Sequence, residues 1–305
     1  MTSIARPTIR LLLLTAALAT TLAACNRDRE PETPAPAAPA PGAVVTPADA
    51  AAPMAFESKT PWADVSLTLP AGIKPQGDLH ARLYAEEVRR LRQFAEGAQG
   101  ELTEAGAETD RPKYQKAITI TVAAETAKLL SLKRFDFDYS GGAHPNTLAD
   151  GLLWDKALKR RIGLADLFGK EANLTILDQA LCSAINTAKR ARVPGSAGVT
   201  LGGGDKIFSC PRAADTPFVL TAGDTPGKAA GLTFLIGPYQ VGPYVEGAYE
   251  IAIPAAVFRS LLTTAYSSEF GGQLVKAGDV TPALPPILQP KPAPAAQSAP
   301  APARN

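Results

Sequence analysis

One short segment, FDFDYSGGAHPN at residues 135–146, places a histidine beside two aspartates. The chain has only two histidines, and His144 is one of them. A zinc site built from His144 with Asp136, Asp138 or Asp150 is one interpretation, since imidazole and carboxylate groups both bind zinc. One histidine among several carboxylates is a weak pattern, however, and aspartates at alternate strand positions usually line the solvent side of a sheet. We therefore expect a strand and a tight turn here, with no metal and no cofactor.

Other catalytic patterns are scarce. The sequence has no G-x-S-x-G, no H-E-x-x-H and no G-x-x-x-x-G-K-[ST] motif. A serine triad would have to use His80 or His144, and neither is accompanied by a nucleophile-elbow motif. His80 is expected to be a solvated residue near the start of a helix. Glu246 could act as one of two carboxylates in glycan hydrolysis, but a lone glutamate of this kind more often hydrogen-bonds backbone amides in a loop. No catalytic residue is predicted.

Binding residues are easier to nominate. Tyr239 and Tyr244 occur in the loop sequence GPYQVGPYVEG. A tyrosine ring provides contact area and a hydroxyl group, which suits recognition better than catalysis. Packing of one of these rings in the core is the alternative. The candidate binding residues, all in turns or loops, are Tyr139, His144, Asn146, Tyr239, Tyr244 and Glu246.

The hydrophobic pattern of the central region favours an α+β fold. Alternating apolar residues predict strands around residues 65–69, 117–123 and 135–139. Residues 218–220 and 232–236 are also predicted to be strands, and the continuously apolar run at 232–236 is expected to be central in its sheet. Apolar residues at helical spacing predict one helix from an N-cap at Asp78 to Gly97, and a second that carries Cys182. A final helix is predicted after Pro254, with Val257, Phe258, Leu261 and Leu262 packing inward. We expect a mostly antiparallel sheet packed with two or three helices, in two intimately packed halves.

The amino-terminal residues indicate export. Arg6 and Arg10 precede an apolar stretch that has 14 uncharged residues up to Ala24, too few to span a bilayer comfortably. Small residues ahead of Cys25 are similar to a bacterial lipobox, so residues 1–24 are predicted to be a lipoprotein signal peptide and Cys25 the lipidated residue. An ordinary secretory signal with a chance cysteine is the alternative. Several acyl chains would anchor the protein stably in a membrane.

Two segments of low complexity flank the central region. Residues 26–53 contain seven prolines and nine alanines, and residues 281–305 contain eight prolines. Neither segment has the apolar periodicity of a core, so residues 25–53 are predicted to be a linker and residues 281–305 a disordered tail. Asn26 after the lipidated cysteine resembles enterobacterial sorting signals for the outer membrane. The predicted location is therefore the periplasmic side of the cell envelope, with the outer membrane favoured over the inner membrane.

The charge balance argues against nucleic-acid binding, and the two remaining cysteines indicate a disulfide. Without the signal peptide, 29 basic residues balance 29 acidic ones, so the basic surplus of a nucleic-acid-binding protein is missing. Cys182 and Cys210 remain as a pair in an oxidising compartment and are expected to form a disulfide. A two-thiolate metal site is the alternative, although no further cysteine or nearby histidine supports it.

Two loop motifs resemble those of the RsiV-like family of exported domains. They are Y-x-G-G-A-H-x-N at residues 139–146, within FDYSGGAHPNTLADGLLWD, and P-Y-x-x-x-P-Y-x-x-G at residues 238–247, within LTFLIGPYQVGPYVEGAYEIAIPAAVFRSLL. The segment IGLADLF follows the first motif. The resemblance runs from about Trp62 to Leu262. It implies an amino-terminal α/β half at residues 54–130 and an RsiV-like carboxy-terminal half at residues 131–280.

The family is named for an anti-sigma factor whose exported domain binds lysozyme. The resemblance therefore implies a non-catalytic binding module for a lysozyme-like muramidase or a cell-wall glycan. The spanning helix and the cytoplasmic segment of that anti-sigma factor have no counterpart here, so direct control of a sigma factor is not expected. The rival hypotheses are a peptidoglycan- or carbohydrate-acting envelope enzyme that uses His144 or Glu246, and a structural lipoprotein without a ligand.

Overall fold

Two sheets and three α-helices form the part of the chain that the computed structural model describes, which is residues 52–105, 112–202 and 207–282. The larger sheet has six strands and the smaller has four. Neighbouring strands are antiparallel except for one parallel pair. The predicted α+β class with a mostly antiparallel arrangement is therefore confirmed.

The six-stranded sheet keeps its strands in chain order. Its strands are β1 (Ala55–Lys59), β2 (Ala63–Thr68), β3 (Tyr114–Glu125), β4 (Leu129–Tyr139), β5 (Asn146–Asp155) and β6 (Arg160–Ile162). The one parallel pair is β2 and β3, because the chain between them forms the long helix α1 (Gly77–Glu104) across one face of the sheet. The predicted boundary between residues 130 and 131 falls inside strand β4.

Helix α1 packs an apolar stripe of Leu79, Leu83, Val88 and Leu91 against this face. The predicted end points of the helix are wrong. The N-cap residue is Gln76 rather than Asp78, and the helix continues past Gly97 to Glu104. Gly97 lowers helix propensity but does not end a helix whose following turns still bury Ala98 and Leu102.

The expectation that His80 is solvated is also wrong, because its side chain is buried. Its Nε2 atom lies 3.1 Å from the carbonyl oxygen of Pro53, at the point where the described chain enters the fold. The polar residue is accommodated inside because this carbonyl provides a hydrogen-bond partner.

The four-stranded sheet has the order β10-β9-β8-β7. Its strands are β7 (Phe218–Ala222), β8 (Ala229–Ile236), β9 (Tyr249–Pro254) and β10 (Gly278–Asp279). Every residue of β8 is buried, which confirms its predicted central place. Strand β7 crosses the other face of the larger sheet. There the Leu220 amide donates to Ser131 Oγ at 2.9 Å, and a Cβ atom at Gly151 would lie only 1.8 Å from the Phe218 carbonyl oxygen.

Helix α2 (Leu164–Phe168) and helix α3 (Thr175–Arg192) complete the fold. Helix α3 buries Leu177, Leu181 and Ile185 against the smaller sheet. The predicted disulfide between Cys182 and Cys210 is present, with the two Cα atoms 5.4 Å apart. It ties the exposed side of α3 to the segment that leads into β7.

The predicted helix after Pro254 does not form. Instead, residues 255–257 and 259–261 are separate 3-10 turns. Phe258 lies between them with a non-helical ψ angle of 7° and is fully buried against Phe168 and Phe270. Burial of this one ring among aromatic neighbours takes precedence over the helical spacing of the apolar residues.

The predicted signal peptide, Cys25, nearly all of the linker and all but the first two residues of the tail lie outside the described residues. Within the described ranges, no helix is both long enough and apolar enough to span a bilayer.

Candidate functional site

The two loop motifs singled out in the sequence meet in space. The first forms the turn between β4 and β5, where Gly141 and Gly142 have φ angles of 85° and 100°. Such left-handed conformations favour glycine, so the predicted tight turn is confirmed. The second is the loop from Gly237 to Gly247 between β8 and β9. Because β8 and β9 belong to the other sheet, this contact joins the two sheets of the fold.

Three side chains from these loops stack on one another at the surface. The rings of His144 and Tyr244 are nearly parallel, with their centroids 3.8 Å apart. The ring of Tyr239 lies 5.5 Å from that of Tyr244 at an angle of 38°. We call these three residues the aromatic surface. Tyr239 is 58% exposed, and the adjacent Val245 is 86% exposed. A solvent-facing cluster of this kind is typical of a binding site.

Hydrogen bonds fix the position of the stack. The hydroxyl of Tyr244 donates to the carbonyl oxygen of Pro145 at 2.8 Å, and the same oxygen lies 3.1 Å from Nδ1 of His144. Partial burial, and secondarily the nearby Tyr239, raise the pKa of Tyr244, so its hydroxyl stays protonated as a donor. Tyr239 has a φ angle of 66°, a left-handed conformation that is unfavourable for a residue with a side chain. Backbone strain in an exposed loop is common at functional sites.

Glu246 is not part of this exposed surface. Its side chain is buried, and its Oε2 atom lies 2.6 Å from Nζ of Lys189 in helix α3. The hydroxyl of Tyr249 donates to the same oxygen at 2.9 Å, and Lys189 also donates to the Val241 carbonyl at 2.6 Å. Burial and this bond to Glu246 raise the pKa of Tyr249. The network holds the middle and the carboxy-terminal end of the Gly237–Gly247 loop to helix α3.

A second anchor lies one helical turn further along. Arg192 donates to the Ala248 carbonyl at 2.7 Å and forms a two-point ion pair with Asp279, at 2.7 and 2.8 Å. Its guanidinium group stacks on the ring of Tyr249 with a separation of 3.9 Å. Burial would raise the pKa of Asp279, but the bonds from Arg192 and Thr281 outweigh burial and lower it. Helix α3 therefore holds both the Gly237–Gly247 loop and strand β10 in place, the first through Lys189 and the second through Arg192.

Two further predicted binding residues, Tyr139 and Asn146, lie beside the aromatic surface. Tyr139 donates through its hydroxyl to the Gly142 carbonyl at 3.3 Å, which stabilises the turn. Asn146 is exposed at the start of β5. The structure thus brings His144, Tyr239 and Tyr244 into direct contact, places Tyr139 and Asn146 beside the turn, and places Glu246 below the surface.

The aspartates of the opening segment face helix α1, so the expectation that they lie on the solvent side is wrong. Lys116 lies 2.8 Å from Asp136 and 3.3 Å from Asp138. Arg134 pairs with Asp136 at 3.0 Å and with the buried Glu87 at 2.9 Å. Burial would lower the pKa of Arg134, but its bonds to Glu87 and Asp136 outweigh burial and raise it. Cationic partners from β3 and β4, together with Glu87 of α1, make this side of the sheet polar without fully exposing it.

The zinc interpretation has no geometric support in the described part of the chain. No three histidine, cysteine, aspartate or glutamate side chains there are close enough to hold a metal ion. Asp150 is exposed and uses Oδ1 to accept the Gly151 amide at 2.7 Å.

Lys189 is the residue that sequence reasoning missed. A signal for it existed, because Leu177, Leu181 and Ile185 follow one another at intervals of four and the next position is Lys189. A lysine that continues an apolar stripe needs a buried partner. The identity of that partner, Glu246, could not be obtained from a helical pattern.

Comparison with known proteins gives a fold-level likeness only. A DUF3298 family member from Bacteroides fragilis matches with a TM-score of 0.47 and 19% identity, over 68% of this chain and 86% of that chain. A DUF3298 family protein from Pseudomonas aeruginosa matches with a TM-score of 0.46 and 14% identity, over 73% of this chain and 100% of that chain. No protein-family model and no curated protein matches the chain. The RsiV-like resemblance therefore stays a prediction.

Proposed function

We propose that this protein is a lipid-anchored envelope protein whose folded part is a non-catalytic binding module, with the aromatic surface as its contact site. The observation that carries the proposal is the stack of His144, Tyr244 and Tyr239, which two distant loops build at the surface. Buried aromatic pairs are common in cores, but this cluster remains exposed and is supported from below by a dedicated ion pair.

The contacts that the buried Glu246 makes beneath the aromatic surface favour binding over catalysis. Glu246 would have to exchange protons with a substrate in a glycan-hydrolysing enzyme. Its carboxylate is instead buried and engaged by Lys189 and Tyr249. This arrangement preorganises the loop, and preorganisation strengthens binding because less conformational entropy is lost on association.

The partner that fits best is a protein with a concave site, such as a lysozyme-like muramidase. Tyr239 and Val245 project into solvent, so they are suited to enter a cleft on another molecule. Tyrosine anchors contribute large contact area at small entropic cost. Lipidation of Cys25 would hold the module on the periplasmic side of a membrane, with the outer membrane favoured by Asn26. Residues 26–53 would then act as the spacer.

The direct test measures binding of purified lysozyme to the chain from residue 25 onward, with Cys25→Ser to prevent lipidation. We expect a complex at micromolar protein concentration. Tyr239→Ala and Val245→Asp should each weaken it by about tenfold or more, the effect of losing a buried interface anchor. Val275→Asp is the matched control, since Val275 is 90% exposed on another part of the molecule. No detectable complex with the parent chain would remove lysozyme as the partner.

A peptidoglycan sedimentation assay with the same variants separates the glycan from the protein partner. Retention on purified peptidoglycan that depends on Tyr239 would point to a glycan ligand. Release of soluble fragments, abolished by His144→Ala without loss of folding, would support the rival enzyme hypothesis instead. Zinc bound at one equivalent in the purified protein would also favour that rival.

A further inference from the structure

The turn between β5 and β6 is rich in basic residues, and the proposed function does not involve it. Residues 156–161 read KALKRR, and we call them the basic turn. Leu158 lies at its tip and is 57% exposed. The basic turn lies at the end of β5 opposite the aromatic surface, roughly 30 Å away for ten strand residues at about 3.3 Å each.

The backbone holds Leu158 outward. The carboxylate of the buried Asp155 accepts the amide hydrogens of Ala157 and Leu158 at 2.9 and 2.8 Å. Lys159 then has a φ angle of 50°, in the left-handed region. Among the described residues, Lys159 and Tyr239 are the two that adopt this conformation without being glycine. A fixed, strained turn that exposes a leucine adds nothing to the core, which indicates a role at the surface.

Cations surround the exposed leucine. Four of them pair with carboxylates: Lys156 with Glu125, Lys159 with Asp78, Arg160 with Asp166 and Arg161 with Glu86, at 2.8 to 3.1 Å. The Lys159 and Arg160 side chains are 69% and 51% exposed, and ion pairs of such exposed groups are weak. Lys156 is more enclosed, because its Nζ also donates to the Thr126 carbonyl at 2.6 Å. A further exposed lysine at this end, Lys128, donates to the Ala265 carbonyl at 2.7 Å and has no carboxylate within ion-pair distance in the described part of the chain.

The chain also enters the fold at this end. His80, in the first turn of α1, contacts the Pro53 carbonyl, and Asp78 in that same turn pairs with Lys159. A segment that led from Pro53 to a membrane would therefore bring the basic turn close to the bilayer.

We propose that the basic turn is a membrane-contacting tip that binds a bilayer rich in anionic phospholipid. Leu158 inserts at the boundary between headgroups and acyl chains, while Lys159 and Arg160 contact lipid phosphates. The contact orients the domain so that the aromatic surface faces away from the membrane. It is independent of the acyl anchor and of the muramidase proposal, because it involves neither Cys25 nor the aromatic surface.

The experiment uses the chain from residue 25 onward with Cys25→Ser, so that no acyl chain contributes to binding. The chain is sedimented with vesicles of phosphatidylglycerol and phosphatidylethanolamine, and with vesicles of phosphatidylcholine alone. We expect partition into the anionic vesicles only, weakening as salt is added. Leu158→Ser and Lys159→Glu should each lower this partition by about threefold or more, since each removes one membrane contact.

Two matched variants provide the control. Lys59 has the same 69% side-chain exposure as Lys159 and also pairs with a single exposed carboxylate, Glu57, but lies at the other end of the sheet. Ile176 is an exposed apolar residue on helix α3. Lys59→Glu and Ile176→Ser should leave partition unchanged, and thermal melting checks that every variant is folded.

Equal partition of the parent chain into anionic and phosphatidylcholine vesicles would overturn the proposal. So would a loss of partition in Lys59→Glu as large as in Lys159→Glu, because this would indicate a response to net charge alone. A parent chain that binds lysozyme but no vesicle would reject the membrane tip and leave the binding module intact.

Discussion

The two ends of strand β5 stabilise exposed loops in different ways. At the aromatic end, the buried carboxylate of Glu246 is neutralised by a buried cation, Lys189. At the basic end, the buried carboxylates of Asp155 and Glu269 are held by amide and hydroxyl donors. The first solution joins a loop to a helix through an ion pair, whereas the second joins two turns of the larger sheet to residues 266–269 through uncharged donors. A buried carboxylate needs compensation in either case, and the choice of donor decides which segments become coupled.

Both ends also place one residue with a side chain in the left-handed region, Tyr239 at one end and Lys159 at the other. Tyr239 is itself part of the exposed aromatic surface, and Lys159 directly follows the exposed Leu158. The two proposed recognition surfaces, one for a protein partner and one for a membrane, therefore share this backbone feature.

The largest expected effect concerns the ion pair at the aromatic end. Lys189→Ala leaves Glu246 buried without its cation, so we expect the free energy of unfolding to fall by about 3–5 kcal/mol. Urea denaturation measures this change. Arg190→Ala is the control, since Arg190 is the exposed neighbour and bonds only to Thr187 Oγ1. A loss below about 1 kcal/mol for Lys189→Ala would show that Glu246 is compensated in another way.

At the basic end we expect a smaller loss. Asp155→Ala removes the acceptor of two turn amides and of the Tyr266 hydroxyl, which should lower the free energy of unfolding by about 1–3 kcal/mol. Asp150→Ala serves as the comparison, because the exposed Asp150 accepts only its neighbouring amide. If the two variants lost equal stability by urea denaturation, the turn would not depend on Asp155.

The same contact predicts a dependence on alkaline pH. Burial, together with the hydrogen bond to Asp155, raises the pKa of Tyr266 from 10.0 to about 12. A pKa raised in the folded state contributes stability that is complete below pH 10 and is lost as the pH rises through about 12. Tyr266→Phe should therefore lose less stability than the parent chain over this interval. Identical slopes for Tyr266→Phe and the parent chain would contradict the assignment.

Replacing each left-handed residue by glycine should have the smallest effect. Relief of the backbone strain favours the folded state by about 1–2 kcal/mol, and the greater freedom of glycine in the unfolded chain offsets about 0.5–1 kcal/mol of it. Lys159→Gly should therefore stabilise the protein by up to about 1 kcal/mol. Tyr239→Gly should gain less, because it also loses a ring contact. A clear loss of thermal stability in Lys159→Gly would show that its side chain stabilises the turn.

Much of the fold was accessible from the sequence because its signals are local. Alternation identified β2 and β3, a continuous apolar run identified β8, and the glycines of the turn identified the reversal between β4 and β5. The errors concern residues whose environment is set by distant parts of the chain. His80 is buried because Pro53 supplies an acceptor, and Asp136 faces inward because Lys116 and Arg134 neutralise it.

In the candidate site, too, local features could be predicted from the sequence and contacts between distant segments could not. Tyr239, Tyr244 and His144 could be nominated because aromatic residues in polar loops are unusual and need an explanation. Their stacking could not be predicted, because it depends on how the two sheets pack. Glu246 was assigned to the surface because nothing in its own loop indicates the lysine 57 residues away in the chain.

The amino-acid sequence by itself determined strands β2, β3, β4, β7 and β8, the two long helices and the turn glycines, because each depends on residues within a few positions of one another. Only the tertiary structure decided which polar side chains are buried and which loops share a surface. Those outcomes depend on charge pairs and ring contacts between segments that the chain separates widely, such as Lys189 with Glu246 and His144 with Tyr244.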